Sequence, residues 1–182
     1  MRPRATSRNH IDSISLRLFL THGYANVTTD DLVQACGVSR PTFFRYVSSR
    51  DAIVLDHIAD FGESVAMKVR GHGDRHAWEA LQESMCEAID DLDPTSHTGM
   101  AFRILQNSTG IRSSALELTR VWRGQLKDSL VASSHFGGDE DRCEAAAAMA
   151  IGLFQMTLSK QHASATALRR AFDAAPSVVG SE

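Results

Sequence analysis

Glycine and proline are scarce in this sequence of 182 residues, which contains 12 glycines and 4 prolines. Alternation of Val, Ile and Thr with polar residues, the usual pattern of a half-buried strand, is also rare. Because glycine and proline interrupt helices and alternation marks strands, these two shortages predict an all-α fold.

Long apolar runs are lacking, and cysteine is sparse. No apolar stretch approaches the ~20 residues that a membrane-spanning helix needs, and the N-terminal segment is basic without the apolar core of a signal peptide. The three cysteines, Cys36, Cys86 and Cys143, are odd in number and far apart, which favours reduced buried thiols over disulfides or a zinc site. We therefore expect a cytoplasmic protein with no membrane contact.

Positive charge is lacking overall, but it is concentrated at the N-terminus. The net charge of the chain is −3, yet residues 1–50 hold seven arginines against three acidic residues, which leaves +4 there and −7 in the remainder. A basic N-terminal part on an acidic remainder provides the local positive field that binds DNA.

The stretch from Thr28 to Tyr46 contains two short predicted helices joined at Gly37. Thr28 is the predicted N-cap of the first, with Asp30 and Asp31 in its first turn, where negative charge suits the helix dipole. Gly37 ends that helix, because only glycine adopts a left-handed backbone without strain. Two short helices with a glycine-containing turn are the pattern of a helix-turn-helix, whose second helix enters the DNA major groove.

The second of these helices has an unusual outward face. Ser39 is its predicted N-cap, and Pro41 lies in its first turn, where the missing N–H is not needed. The outward positions hold Arg40, Thr42, Phe44, Arg45 and Tyr46. Arginine can bind guanine, Thr and Phe can contact thymine methyl groups, and Arg and Tyr can reach phosphate. The alternative is a structural hairpin with aromatic packing, since short motifs match by accident.

Several separated elements resemble the N-terminal DNA-binding domain of the TetR family. In order, between about Asn9 and Leu55, they are Leu18-Phe19, Gly23-Tyr24, Val27-Thr28-Thr29, Leu32, Gly37-Val38-Ser39, Thr42-Phe43-Phe44-Arg45-Tyr46 and Ser49-Arg50-Asp51. This sequence departs from the family pattern at two positions. The family usually has a small alanine at the position of Val33 and often has another at the position of Cys36. The resemblance implies a three-helix DNA-binding head with a helix-turn-helix, residues 1–50, joined by a long helix to a helical ligand-binding and dimerisation body, residues 51–182.

The outward face and the resemblance together predict the DNA contacts. The residues expected at base edges are Arg40, Pro41, Thr42 and Phe44. Those expected at phosphates are Thr29, Ser39, Arg45, Tyr46 and Arg50. The basic arm with Arg2, Arg4 and Arg8 is either a frayed terminus or a phosphate or minor-groove contact.

Apolar periodicity predicts the remaining helices. Their ranges are about 9–22, 49–69, 76–92, 97–108, 113–133, 139–162 and 164–174. The helix over 9–22 should pack through Ile11, Ile14 and Leu18, and in part through Phe19. The helix over 49–69 begins in the head and ends in the body, so it is either a lever that transmits ligand binding to the head or a rigid spacer.

The body offers bulky, adaptable apolar side chains for a ligand pocket. These are Trp78, Met85, Met100, Phe102, Ile104 and Trp122. The alternative for each is ordinary core packing, although the family resemblance favours a cavity between helices. A distant resemblance of residues 103–122 to C-terminal domains of actinobacterial relatives adds acyl-type ligands to the expected effectors.

The helix over 139–162 carries two apolar stripes, so it should be buried on two sides. We expect one stripe to pack in its own chain and the other to join the preceding helix in a homodimeric four-helix bundle. The residues expected at this interface are Trp122, Leu126, Ala147, Ile151, Phe154 and Leu158. The alternative is the central helix of a monomeric bundle.

Catalytic and metal-binding motifs are lacking. The eight histidines form no helical pair with a plausible third ligand, and His72 and His76 flank a predicted loop. No phosphate loop, dinucleotide fingerprint or Gly-x-Ser-x-Gly is present. We therefore expect no catalytic residue, metal or cofactor.

The sequence predicts a ligand-responsive transcriptional regulator. We expect a repressor that binds double-stranded palindromic DNA as a homodimer and is released by a small apolar or acyl-type effector. The alternative is an all-helical small-molecule-binding protein or enzyme whose helical hairpin is only structural.

Overall fold

A computed structural model of the chain describes residues 7–158 and 164–179, and within these ranges the regular structure is helical throughout. The helices are α1 (Arg8–His22), α2 (Thr29–Cys36), α3 (Arg40–Tyr46), α4 (Ala52–Gly71), α5 (Ala77–Asp90), α6 (His97–Asn107), α7 (Thr109–Ala132), α8 (Glu140–Leu158) and α9 (Ala165–Val179). The all-α prediction is therefore confirmed. Arg2 and Arg4 of the predicted basic arm lie outside the described residues.

The helices pack into two compact units that are each discontinuous in sequence. The first ends at Ile58 and also takes in Asp93–Leu116, whereas the second consists of Ala59–Leu92 and the chain from Glu117 onward. Helix α6 therefore packs with α1 in the first unit. The functional division at residue 50 stays a prediction, because α4 and α7 each begin in the first unit and end in the second.

The buried face of helix α1 agrees with the prediction only in part, at Ile11 and Phe19. Its buried residues are Ile11, Asp12, Ser15, Leu16 and Phe19. Ile14 and Leu18, which the periodicity placed inside, are only half-buried. The prediction was wrong there because two of the inward positions are polar, so apolar spacing alone did not show the packed face.

In the second unit, α5, α8 and α9 pack on one another. Helix α9 is longer than predicted, and its Leu168 and Phe172 are both fully buried. The Trp78 ring lies 4.8 Å from that of Phe172, and its Nε1 donates a hydrogen bond to the Phe172 carbonyl at 3.3 Å. The last helix is thus a core element of its own chain.

The three cysteines are all buried and free, so the prediction of reduced buried thiols is confirmed. Burial raises the pKa of each of these thiols above its ordinary value. Among the described residues, no helix combines the length and apolar character that crossing a membrane requires.

Candidate functional site

Helix α2 and the turn that follows it are held by local hydrogen bonds. Thr28 Oγ1 accepts from the Asp31 N–H at 3.2 Å, while the Asp31 carboxylate accepts from the Thr28 N–H at 2.8 Å. This reciprocal capping box fixes where α2 begins. Gly37 ends it in the left-handed region, with φ 65° and ψ 31°. Both predicted signals are present, and they determine where α3 starts.

Helix α3 has one inner and one outer face. Phe43 is 0% exposed and Val47 1% exposed, so these two side chains anchor the helix in the first unit. The residues of the α3 outer face are Arg40, Pro41, Phe44 and Arg45, all of them exposed. Phe44 leaves 41% of its surface accessible, although burying such a ring would be favourable. An exposed aromatic ring flanked by arginines is the arrangement that the sequence predicted.

Three residues with hydroxyl side chains lie in the first turns of α2 and α3, and hydrogen bonds orient two of them. Ser39 caps α3 by accepting from the Thr42 N–H at 3.3 Å, and its own hydroxyl donates to Thr42 Oγ1 at 2.9 Å. Thr42 is half-buried and Ser39 exposed. Thr29, the first residue of α2, is half-buried too. All three therefore retain accessible surface at helix N-termini, where phosphate oxygens are favoured.

Arg40 is paired within its own unit. Its guanidinium forms a salt bridge with Asp30 of α2 and lies 5.6 Å from the centre of the Phe44 ring. The side chains of Arg40 and Asp30 are 58% and 78% exposed. Such exposed pairs contribute less than about 1 kcal/mol, so Arg40 can exchange Asp30 for another acceptor at little cost.

Arg45 and Tyr46 form a second pair at the end of α3. The Arg45 guanidinium lies 5.1 Å from the centre of the Tyr46 ring. Arg45 is exposed and Tyr46 half-buried. This stacking directs a positive charge along the edge of the α3 outer face, which suits contact with a phosphate backbone.

Arg50 has a different environment from the other predicted phosphate contacts. Its Nη1 donates to the Val27 carbonyl at 2.8 Å, and its guanidinium lies 4.3 Å from the centre of the Tyr24 ring. Tyr24 in turn is hydrogen-bonded to Asp51. Burial, and then the Asp51 carboxylate, raise the pKa of Tyr24 above its ordinary value. Arg50 therefore ties the turn before α2 to the start of α4.

Arg8 is a positioning residue that the sequence did not reveal. The sequence placed it in a basic arm, but its Nε donates to both Asp12 oxygens at 2.9 Å. Its terminal nitrogens reach the Tyr46 carbonyl at 3.2 Å, the Ala52 carbonyl at 3.4 Å and the Asp56 carboxylate at 2.9 Å. Arg8 thus satisfies a carbonyl at the end of α3, and no local motif could have shown this link across the fold.

The second unit contains an aromatic cluster of Phe61, Trp122 and Phe154. The Trp122 ring centre lies 5.8 Å from each of the other two. Phe61, Trp122 and Phe154 are 6%, 9% and 2% exposed. They surround a gap of about 10 Å³ with Gly62, Val65, Met85 and Leu126. The gap is far smaller than the ~300–1,000 Å³ of ordinary ligand pockets.

Of the six residues predicted for a ligand pocket, Met85 and Trp122 line this gap. Trp78 packs instead on Phe172. Met100, Phe102 and Ile104 belong to the first unit and are buried there. The structure therefore does not gather the six around one cavity, and within each unit most of them act as core.

The residues predicted at a dimer interface are mostly buried inside one protomer. Trp122, Leu126, Ala147, Ile151 and Phe154 are each at most 9% exposed, and Leu158 is half-buried. Five of these side chains therefore have little surface left for a second copy, and the interface itself stays a prediction. The reason for the burial is that α5 and α9 of the same chain cover α8.

Helices α7 and α8 nevertheless lie side by side and retain accessible surface. Gln155 Nε2 donates to Thr119 Oγ1 at 2.8 Å, and Arg123 forms a salt bridge with Glu144 at 2.8 Å. Val121 is 46% exposed. On α8, Ala148 and Gly152 are exposed and Leu153 is half-buried. These positions offer small and apolar surface for close helix packing.

Comparison with known proteins finds a family match in the first part of the chain. Residues 14–56 match the model of the bacterial regulatory proteins of the TetR family. The transcriptional regulator MftR of Mycobacterium tuberculosis is 42% identical over 52 residues, covering 29% of this chain and 26% of that protein. The regulator TcmR of Streptomyces glaucescens is 24% identical over 144 residues, covering 74% of this chain and 63% of that protein.

The chain thus matches less than two thirds of the length of these curated relatives. Among solved structures, a transcriptional regulator of the TerR/AcrR family from Aquifex aeolicus resembles the fold with a TM-score of 0.59 and 15% identity, over 95% of this chain and 99% of that one. The shared fold therefore extends well beyond the matched N-terminal residues.

Proposed function

We propose that the chain, whose residues 14–56 match the model of the TetR family of bacterial regulatory proteins, is a ligand-responsive transcriptional regulator of that family. It represses by binding a palindromic operator as a homodimer, and a small apolar or acyl-type effector releases it. The observation that carries the proposal is the α3 outer face, where Phe44 stays 41% exposed next to arginines. Such a regulator acts in the cytoplasm, with the bacterial chromosome.

In this proposal α3 enters the major groove. Arg40 leaves Asp30 for a guanine edge, while Pro41, Thr42 and Phe44 contact neighbouring bases and thymine methyl groups. Thr29, Ser39, Arg45 and Tyr46 bind phosphates. Arg50 is not among the proposed phosphate contacts, because the protein's own backbone and the Tyr24 ring engage its guanidinium.

A two-fold operator requires two copies of α3. We propose a homodimer through the accessible surfaces of α7 and α8, where Val121, Ala148 and Gly152 lie. The recognition helices would then occupy successive major grooves on one side of the DNA, about 34–36 Å apart or somewhat more.

For the effector, we propose entry at the aromatic cluster. Its lining is apolar, which suits an apolar or acyl-type molecule, but the gap of about 10 Å³ must widen first. Phe61, Gly62 and Val65 of the lining are residues of α4. An effector that separates them from Trp122 would therefore displace α4, which makes α4 the lever rather than a rigid spacer.

The test is DNA binding by the purified chain, measured by fluorescence anisotropy with DNA from upstream of its own gene and with random DNA. Arg40→Ala should weaken specific binding by about 1–3 kcal/mol and relax sequence choice. Arg45→Ala should weaken both DNAs alike and reduce the salt slope by about one unit. Identical behaviour of the two variants would refute this division of roles. Absence of salt-dependent binding would favour an all-helical ligand-binding protein or enzyme.

A further inference from the structure

Three metal-ligating side chains meet in the first unit, outside the α3 outer face. Asp12 of α1, His57 of α4 and His97 at the start of α6 form this group, the Asp12 cluster. One ligand atom from each lies within 4.8 Å of the other two. The side chains of Asp12 and His57 are only 4% and 16% exposed. Since three different helices supply them, no sequence spacing could reveal the group.

One ring nitrogen in the Asp12 cluster lacks a hydrogen bond. His57 Nε2 is buried and lies 3.2 Å from Asp12 Oδ2, but its geometry with the described residues is not that of a hydrogen bond. The rings of His57 and His97 have their centres 5.2 Å apart. Ser13 Oγ, 2.7 Å from His97 Nε2, fixes the orientation of that ring, as outer partners do for ligating histidines.

This donor set is one that divalent zinc accepts. Zinc binds imidazole nitrogen and carboxylate oxygen at about 2.0–2.2 Å with tetrahedral geometry, which separates neighbouring ligand atoms by about 3.4 Å. The distance between His57 Nε2 and Asp12 Oδ2 is already 3.2 Å. We propose that Asp12, His57 and His97 bind one divalent late transition-metal ion of the zinc class, with water as the remaining ligand.

Arg8 connects this site to the recognition helix. Its guanidinium binds both Asp12 oxygens, so a metal ion must share or take that carboxylate, and the two positive charges repel. Arg8 also holds the Tyr46 carbonyl at the end of α3. Metal binding therefore weakens this hold on α3. Only the effect on DNA rests on the proposed function, whereas metal binding itself does not.

Zinc titration against a chromophoric chelator tests the site in the full-length chain. The unmodified chain should bind one zinc ion, and His57→Ala or the milder His97→Gln should each weaken zinc binding by at least about 10-fold, the lower range for loss of an outer partner. His22→Ala removes an exposed histidine of the same unit and should leave zinc affinity unchanged. Circular dichroism verifies that each variant is folded.

The proposal is overturned if the unmodified chain binds no zinc, if folded His97→Gln binds it equally well, or if His22→Ala loses as much affinity. A second arm repeats the DNA-binding measurement with and without stoichiometric zinc. Zinc binding that depends on His57 and His97 in a chain that binds no DNA would support the metal site while refuting the proposed function.

Discussion

The α3 outer face and the aromatic cluster differ in the solvent exposure of their aromatic side chains. On α3, Phe44 is 41% exposed between arginines, whereas Phe61, Trp122 and Phe154 of the second unit are at most 9% exposed and enclose a gap of about 10 Å³. The face proposed for DNA is therefore formed in advance, while the place proposed for the effector is closed. On the α3 outer face only the exposed Arg40–Asp30 salt bridge has to break for DNA to bind, whereas an effector has to separate buried side chains first.

The largest expected effect comes from separating the two faces of α3. Phe43→Ala empties a site that is 0% exposed and should lower the free energy of unfolding by about 3–5 kcal/mol. Phe44→Ala, one residue away, should change it by no more than about 0.5 kcal/mol and weaken operator binding instead. Urea denaturation and anisotropy measure the two quantities. A large loss of stability in Phe44→Ala would place that ring in the core.

The aromatic cluster can be tested through the glycine beneath it. A Cβ at Gly62 would lie 1.9 Å from Trp122 Nε1, whereas a Cβ at Gly124 would meet no atom within 4 Å. Gly62→Ala should therefore lower the free energy of unfolding by about 1–3 kcal/mol through overpacking. Gly124→Ala, also within a helix, should raise it by up to about 1 kcal/mol. Equal thermal stability of the two variants would mean that the Trp122 side chain moves aside at little energetic cost.

Arg50 and Arg45 sharpen the contrast between structural and exposed arginines. Arg50→Ala removes a 2.8 Å hydrogen bond to Val27 and the stacking on Tyr24, and should lower the free energy of unfolding by about 1–2 kcal/mol. Arg45→Ala should leave stability within about 0.5 kcal/mol of the unmodified chain. Denaturant midpoints compare them. A stable Arg50→Ala that binds all DNA weakly would restore Arg50 as a phosphate contact.

The smallest expected effect concerns the salt bridge that Arg40 of the α3 outer face forms with Asp30 in the absence of DNA. Asp30→Asn releases Arg40 from its salt bridge and removes a negative charge near the proposed phosphate path. Operator binding should strengthen by less than about 1 kcal/mol, more at low salt than at high salt. Asp60→Asn removes the same charge from an exposed position in the second unit and serves as the control. Weaker binding by Asp30→Asn would show that Asp30 orients Arg40.

Local signals in the sequence were sufficient to predict α2, the turn and α3. Thr28, Gly37 and Ser39 act within a few residues of themselves, so capping and backbone preference determine α2, the turn and α3 wherever the rest of the chain lies. Phe44 was predicted at an outward position of α3, and its exposure, with Phe43 and Val47 buried on the opposite face, confirms that position.

Contacts between distant residues were not predictable in this way. The two apolar stripes of α8 required two partners, but periodicity does not identify those partners. In the structure α5 and α9 of the same chain pack on α8, and buried residues come from both stripes. Likewise, a charged residue such as Asp12 is expected at the surface from the sequence alone. In the structure it is buried because Arg8 and His57 contact its carboxylate. Burial of a charged group depends on its tertiary partners, which spacing along one helix does not contain.

The closed aromatic cluster gives the protein its own optical reporter. The chain has two tryptophans, and Trp78 lies against Phe172, so Trp78→Phe would leave Trp122 as the single indole emitter. Among the described residues the Trp122 N–H has no acceptor, and its emission should therefore be blue. A molecule that separates the side chains of the aromatic cluster would expose this indole to water or quench its fluorescence. Effectors could therefore be screened by tryptophan fluorescence without DNA.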